Sequence, residues 1–288
     1  MTPLENFTAR HHLSAQADLR SVKVAVEAVC EANLVAYEFM GSIDSKTDKD
    51  GFVLRTHLNI LGRLFEQSQG MLVCIATEAY TSAEAIARVV IEGAINLMYM
   101  TLKGNASTIV GFLDAWLIEH GRKLEEWKNH MDGTAHEERV VPMIASRQEL
   151  ISNYNALLNH IVSTCGINRM AYRDAWPKSL FKRFSELGRE TDYYESYHRL
   201  SGSSHINGED TFIWLLSTNM SDKQKHDVAK EAAAYSVMMS RIASIIFVDS
   251  AIACCISHGM KLDEKLSVLK TKLARSVEGI AADAGVPE

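Results

Sequence analysis

The chain has 288 residues, of which 47% are hydrophobic and 23% charged, a balance that excludes a disordered, fibrous or collagen-like protein. It holds only 4 Pro and 16 Gly, and because Pro costs about 3 kcal/mol and Gly about 1 kcal/mol relative to Ala inside a helix, that scarcity favours long helices. With 36 acidic against 30 basic side chains the net charge is -6, so no overall positive field draws nucleic acid to the surface and any RNA contact has to be local. The expected fold is all-α: a single multi-helix bundle domain over residues 1–288 with a long buried central helix, an exposed loop at 41–51 and a disordered tail at 282–288.

Met1 to Arg20 is polar and charged throughout and lacks the apolar stretch of an export signal. From Leu13 to Met40 the residues Leu19, Val22, Val26, Val29, Cys30, Leu34 and Tyr37 recur at steps of three and four, with Asn33 interposed, which predicts a helical face. The Ser-, Asp- and Gly-rich stretch 41–51 then precedes a helix over Phe52 to Gln69. A helix from about Met71 to Met100, with the stripe Ile75, Ala79, Ile86, Val90, Leu97 and Met100, is expected at the centre of the core. Ser107 is placed to cap a helix over Thr108 to Lys128, anchored by Trp116 and Trp127.

Pro142 starts or kinks the next helix, which runs on through Leu150, Leu157, Leu158 and Ile161 until Gly166. Trp176-Pro177 opens a short helix burying Leu180, Phe181 and Phe184 and ending near Gly188. Helices are then expected over Glu190–Gly202, Asp210–Asn219, Asp222–His258 and Leu262–Ala281. The most hydrophobic stretch, Ile242 to Ser257, contains Asp249 and falls short of the ~20 apolar residues that span a bilayer, so it reads as a core helix.

The five cysteines (Cys30, Cys74, Cys165, Cys254, Cys255) are odd in number and without Cys-x-x-Cys spacing. Thiols in apolar runs behave as small hydrophobes, so they read as reduced core residues of a cytoplasmic protein, not associated with a membrane. Metal ligation has weak sources only: His11-His12, the loop set His130, Asp132, His136 and Glu137, and Glu195-x-x-His198, which lacks the second copy a di-iron bundle site needs. There is no His-Glu-x-x-His, no phosphate-binding Gly-rich loop and no Gly-x-Ser-x-Gly elbow, and the expectation is of no metal and no cofactor.

The densest grouping of ionisable and hydroxyl side chains is 189–208, Arg-Glu-Thr-Asp-Tyr-Tyr-Glu-Ser-Tyr-His-Arg-Leu-Ser-Gly-Ser-Ser-His-Ile-Asn-Gly. On a helix Tyr194, Tyr197 and His198 are neighbours, and Arg199 and His205, with Ser204 between them, can share one pocket. Arg88 and Glu92 lie one turn apart on an otherwise apolar helix, so if buried they need partners, which the Tyr/His/Ser group can supply.

Arg199-Leu-Ser-Gly-Ser-Ser-His205 resembles the Arg-x(4 to 6)-His motif of the HEPN (higher eukaryotes and prokaryotes nucleotide-binding) superfamily, with Leu200 where nuclease members commonly carry a polar residue. The resemblance implies an all-helical homodimer whose paired motifs form a metal-independent RNase site, an RNA substrate, and a place in a toxin, phage-defence or stress system with an operon-encoded partner. On that reading Arg199 and His205 are catalytic, and Arg88, Glu92, Tyr194, Tyr197, His198 and Ser204 support or contact the substrate. Such chemistry is sound, because an imidazole moves protons near neutral pH while a guanidinium stabilises the developing phosphorane charge. Over about residues 70–210 the chain also resembles an uncharacterised bacterial family of unknown function, through Ala87-Arg-Val-Val-Ile-Glu-Gly-Ala-Ile-Asn-Leu-Met-Tyr99 and Tyr194 to His205. The alternative is a non-catalytic helical interaction or regulatory protein in which the same polar groups are structural.

Overall fold

The computed structural model describes residues 1–168, 172, 174–201, 208–261 and 264–283, the side chains of 208–210 and 281–283 excepted. Every regular element among them is helical, and the fold is an all-α bundle. Contacts divide the chain into two compact units, one of Met1–Ile43, His57–Lys103 and Ser179–Glu288, the other of Asp44–Thr56 and Gly104–Lys178.

In the first unit α1 (Pro3–Arg10) starts with a reciprocal cap between Thr2 and Glu5, a helix that the polar character of this segment hid. α2 (Leu19–Gly41) is capped by the Asp18 carboxylate and buries Val22, Val26 and Val29 as expected, but the stripe continues through Ala25, Ala28, Ala32 and Ala36. Leu34 and Tyr37, expected on that face, are 49% and 42% exposed. The alanines let a neighbouring backbone come close, which bulkier residues would prevent.

The break expected between the helices over 52–69 and 71–100 falls later, giving α3 (Asp48–Ala76) and α4 (Tyr80–Leu102). Glu78 adopts a left-handed φ of 61°, and the turn closes with Ala79 N–H donating to the Cys74 carbonyl at 2.8 Å and Asp18 N–H to that of Ala76 at 2.9 Å. Those bonds satisfy helix-end carbonyls in the manner of a glycine-type stop, with Glu in glycine's place. The loop before α3 is correspondingly short, covering 42–47, since Asp48 to Gly51 are already helical.

α4 and α10 (Asp222–Ser257) form the centre of this unit, α10 packing on α4, α2 and α11 (Glu264–Asp283). Both central helices are long and apolar enough to cross a membrane by length and composition; here that apolarity is turned inward, α10 burying Val237, Ala243, Ile246, Phe247, Ala251 and Cys254. Its interior serines return their hydroxyls to the preceding turn, Ser240 to Val237 O at 2.7 Å and Ser244 to Ser240 O at 2.8 Å, so a helix buried on most sides leaves those groups satisfied.

The second unit is built on α5 (Ala106–Met131) and α6 (Glu137–Thr164). Asn105, not the expected Ser107, caps α5, its side chain accepting from Ser107 N–H at 2.8 Å. Pro142 lies inside α6. Ala106, Val110, Leu117, Leu158, Ile167 and Tyr172 make one core, and Leu124, Val140 and Ile144, with Trp127 against them, a second. Gly111 is required by close approach: a Cβ there would stand 2.7 Å from the Tyr172 carbonyl oxygen. Gly111→Ala is expected to lower stability by about 1–3 kcal/mol despite the better helix propensity of Ala, a sign that a thermal melt can check.

Between Lys178 and α10 the first unit carries α7 (Leu180–Glu186), capped by the Ser179 side chain rather than opened at Trp176-Pro177, and α8 (Glu190–Asp192). α8 runs into a π-helical turn, Tyr193–His198, then a 3-10 turn, Arg199–Ser201. α9 (Gly208–Ser217) follows.

Candidate functional site

The π turn is where the polar cluster meets α4. Widening the helix by one residue shifts the register, so Ser196, Tyr197 and Leu200 become buried while Tyr194, His198 and Arg199 face solvent. Such turns recur at functional sites because they re-aim side chains at a cost that regular helix avoids. The Ser196 hydroxyl bonds the Asp192 carbonyl within the turn.

Tyr197 is the pin. Its hydroxyl donates to Glu92 Oε2 at 2.9 Å and accepts from Arg88 Nη2 at 2.9 Å. The Arg88 guanidinium carbon also lies 4.3 Å from the centre of the Tyr197 ring, within cation–π range. Arg88 Nη1 donates to Ser201 Oγ, so one side chain from α4 holds both the π turn and the 3-10 turn. The structure thus brings Arg88, Glu92 and Tyr197 together. Burial, then the neighbouring Glu92 carboxylate, pushes the Tyr197 hydroxyl above its ordinary value, keeping it a neutral donor.

Sequence reasoning missed a second layer. Arg183 of α7 is only 6% exposed; burial pulls its guanidinium down, and the field of Glu92, with Tyr197 and Tyr99, opposes that pull. Tyr99 donates to Glu186 Oε2 at 2.8 Å, and burial followed by that bond pushes it up to about 12. Arg189, which precedes α8, pairs with Asp192 and, at 2.9 Å, with Asp249 of α10. Lys270 of α11 takes the other Asp249 oxygen at 2.6 Å. Burial alone would lower Arg189, but Asp249 and Asp192 outweigh it and leave the guanidinium raised. The only hint in the sequence was Asp249 itself, an acid inside the most apolar stretch.

The remaining members are placed differently. Tyr194 is 57% exposed and packs against Phe181 and Tyr193, with ring centres 5.8 and 5.2 Å away. His198 lies nearly parallel to Tyr193 at 6.2 Å. Arg199 is exposed at the start of the 3-10 turn. Ser204 and His205 lie outside the described residues, so the pairing of Arg199 with His205 rests on sequence. No group of three or more His, Cys, Asp or Glu arranged for a metal ion occurs among the described residues.

Residues 57–224, more than half of the chain, match the sequence profile of DUF5677, a family of unknown function. The chain belongs to DUF5677. No curated protein and no solved structure matches it. The DUF5677 segment contains Arg88, Glu92, Tyr99, Arg183, Glu186, Arg189, Tyr197 and Arg199, whereas Asp249 and Lys270 are supplied from beyond it.

Proposed function

We propose that this DUF5677 protein is a HEPN-like, metal-independent endoribonuclease, or an effector derived from one, working as a homodimer in the bacterial cytoplasm within a toxin or phage-defence system. One observation supports the reading above others. Arg199, the first residue of the motif, stands exposed at the junction of a π turn and a 3-10 turn that Arg88 fastens through Tyr197 and Ser201. Holding a flexible cation's backbone in an irregular, well-anchored turn is what positioning for catalysis requires.

In this scheme an imidazole of His205 takes the proton from a ribose 2′-hydroxyl, whose oxygen attacks the adjacent phosphorus. The bond to the 5′ oxygen breaks, and that oxygen takes a proton from a second imidazole, which a second copy supplies. Arg199 neutralises the non-bridging oxygens. Tyr194 and His198 border the phosphate path, with Ser204, and Arg88 and Glu92 act from behind through Tyr197. The products are a 2′,3′-cyclic phosphate and a 5′-hydroxyl.

The test is cleavage of end-labelled RNA in excess EDTA. Wild type is expected to cut, and His205→Ala to cut at least ~100-fold more slowly, with Arg199→Ala similarly impaired. Both variants should melt as wild type does, Arg199 because it is exposed. No cleavage by wild type, with His205→Ala destabilised, would replace this reading with the other one: a non-catalytic interaction or regulatory protein, defined by an operon-encoded partner rather than by a substrate. The run of exposed apolar residues on α9 is the observation that favours that second reading.

A further inference from the structure

α9 presents Phe212, Ile213, Trp214, Leu215 and Leu216 to solvent, at 68%, 47%, 65%, 48% and 62% exposure. Consecutive residues step 100° round a helix, so this run is apolar on every side, and a helix of that kind is ordinarily enclosed. No other helix among the described residues packs extensively on it. A soluble monomer rarely leaves such a patch open.

The second unit holds the complementary shape. A cleft of about 350 Å³ lies between α5 and α6, walled by Phe112, Leu113 and Trp116 on one side and Tyr154, Leu157 and Ile161 on the other. Its walls are carbon almost throughout, so it offers nothing to a charged or hydrogen-bonding ligand and suits bulky hydrocarbon. Trp116 is fixed at its rim, stacked on His120 at 3.9 Å and edge-on to Tyr154 at 6.0 Å. Tyr154 and Leu157 remain 42% and 56% exposed.

We infer that α9 of one copy seats in the α5–α6 cleft of a second copy, and reciprocally, in a two-fold dimer. Area selects the reciprocal arrangement. Phe and Trp bury roughly 150–250 Å² each and Ile and Leu less, so five such side chains that are half to two-thirds exposed offer at most on the order of 500 Å². A stable interface needs about 800 Å² per partner, and a single insertion falls short. In a two-fold dimer each copy contributes an α9 and a cleft, which doubles the area and closes the assembly at two copies, where a one-way contact would continue into a larger ring or a filament. The inference deepens the homodimer of the preceding reading and rests on it for the number of copies, but it involves neither Arg199 nor His205.

The experiment uses the full chain. Sedimentation velocity should give a dimer for wild type, and both Trp214→Glu and Leu157→Glu should raise the dimer dissociation constant at least ~30-fold, the loss expected of an interface hot spot. Both side chains are exposed, so the melting temperature of diluted monomer should not move. A photo-crosslinking residue at 214, in a mixture of light and isotopically heavy chains, should join α9 to peptides of α5 or α6 in mixed-isotope pairs. A monomeric wild type, a dimer indifferent to either substitution, crosslinks within one chain, or α9 joined to α9 would each overturn the proposal. A dimer broken by Trp214→Glu but inert towards RNA would leave this contact standing and remove the nuclease.

Discussion

Glu92→Ala is expected to destabilise the fold by about 2–3 kcal/mol, because it leaves the buried Tyr197 hydroxyl without its acceptor and the buried Arg183 without the opposing charge. Glu92 serves two cations. It accepts the Tyr197 hydroxyl at 2.9 Å, and that hydroxyl in turn takes Arg88 Nη2 at 2.9 Å, while its charge opposes the desolvation of the buried Arg183. Removing the carboxylate takes away both the acceptor of the Tyr197 hydroxyl and the charge that opposes the desolvation of Arg183. Glu92→Gln keeps an acceptor for Tyr197 but removes the charge, and should fall between Glu92→Ala and Tyr197→Phe, which loses one hydroxyl and about 1–2 kcal/mol. Urea midpoints at constant slope would rank the three. If Glu92→Ala stayed within about 1 kcal/mol of wild type, the seam would not be what fixes the π turn against α4.

The same seam marks the boundary of what the sequence makes legible. Three-and-four periodicity located α2, α4 and α7 because each buries a stripe, and a stripe is a local pattern. It overran at Thr77–Ala79, since both flanking helices are apolar enough to keep the rhythm going and the stop is a Glu in a conformation usually signalled by Gly. It overrated Leu34 and Tyr37 because periodicity scores hydrophobicity, whereas close helix packing on α2 selected alanine. α1 was invisible: its cap needs only Thr2 and Glu5, and a single buried residue, Phe7, holds it down.

For the candidate site the difference lies between local and distant partners. That Arg88 and Glu92 need partners follows from two charges on an apolar stripe, and the Tyr-rich segment stood out by density. The partners Arg183, Arg189 and Asp249 did not, since a pair such as Arg189 and Asp249, sixty residues apart, leaves no periodic trace. Nor does any helical pattern foretell a π turn. Steps of three and four group Tyr194 with Tyr197 and His198, but in the turn Tyr197 is buried while Tyr194 and His198 are exposed.

Acid should weaken the fold through one buried imidazole, with the loss confined to a defined window. His57 of α3 is 2% exposed, and its Nδ1 lies 3.1 Å from Nε2 of His258, the residue that ends α10. Its own Nε2 is buried without a hydrogen-bond partner among the described residues. Burial, then the neighbouring His258, lowers His57 from 6.5 to about 4. The unfolded chain therefore accepts a proton between those values that the folded chain refuses, so stability from this group is complete above about pH 6.5 and declines as pH falls toward about 4. The integrated loss is roughly 3 kcal/mol. In His57→Leu, where no proton can bind at this position in either state, that contribution should vanish, leaving only the shallower dependence of the carboxylates. Denaturation at a series of pH values from 4 to 7 would therefore give wild-type and variant curves that converge or cross as the pH falls. Parallel curves would mean that His57 titrates in the folded chain much as it does in the unfolded one.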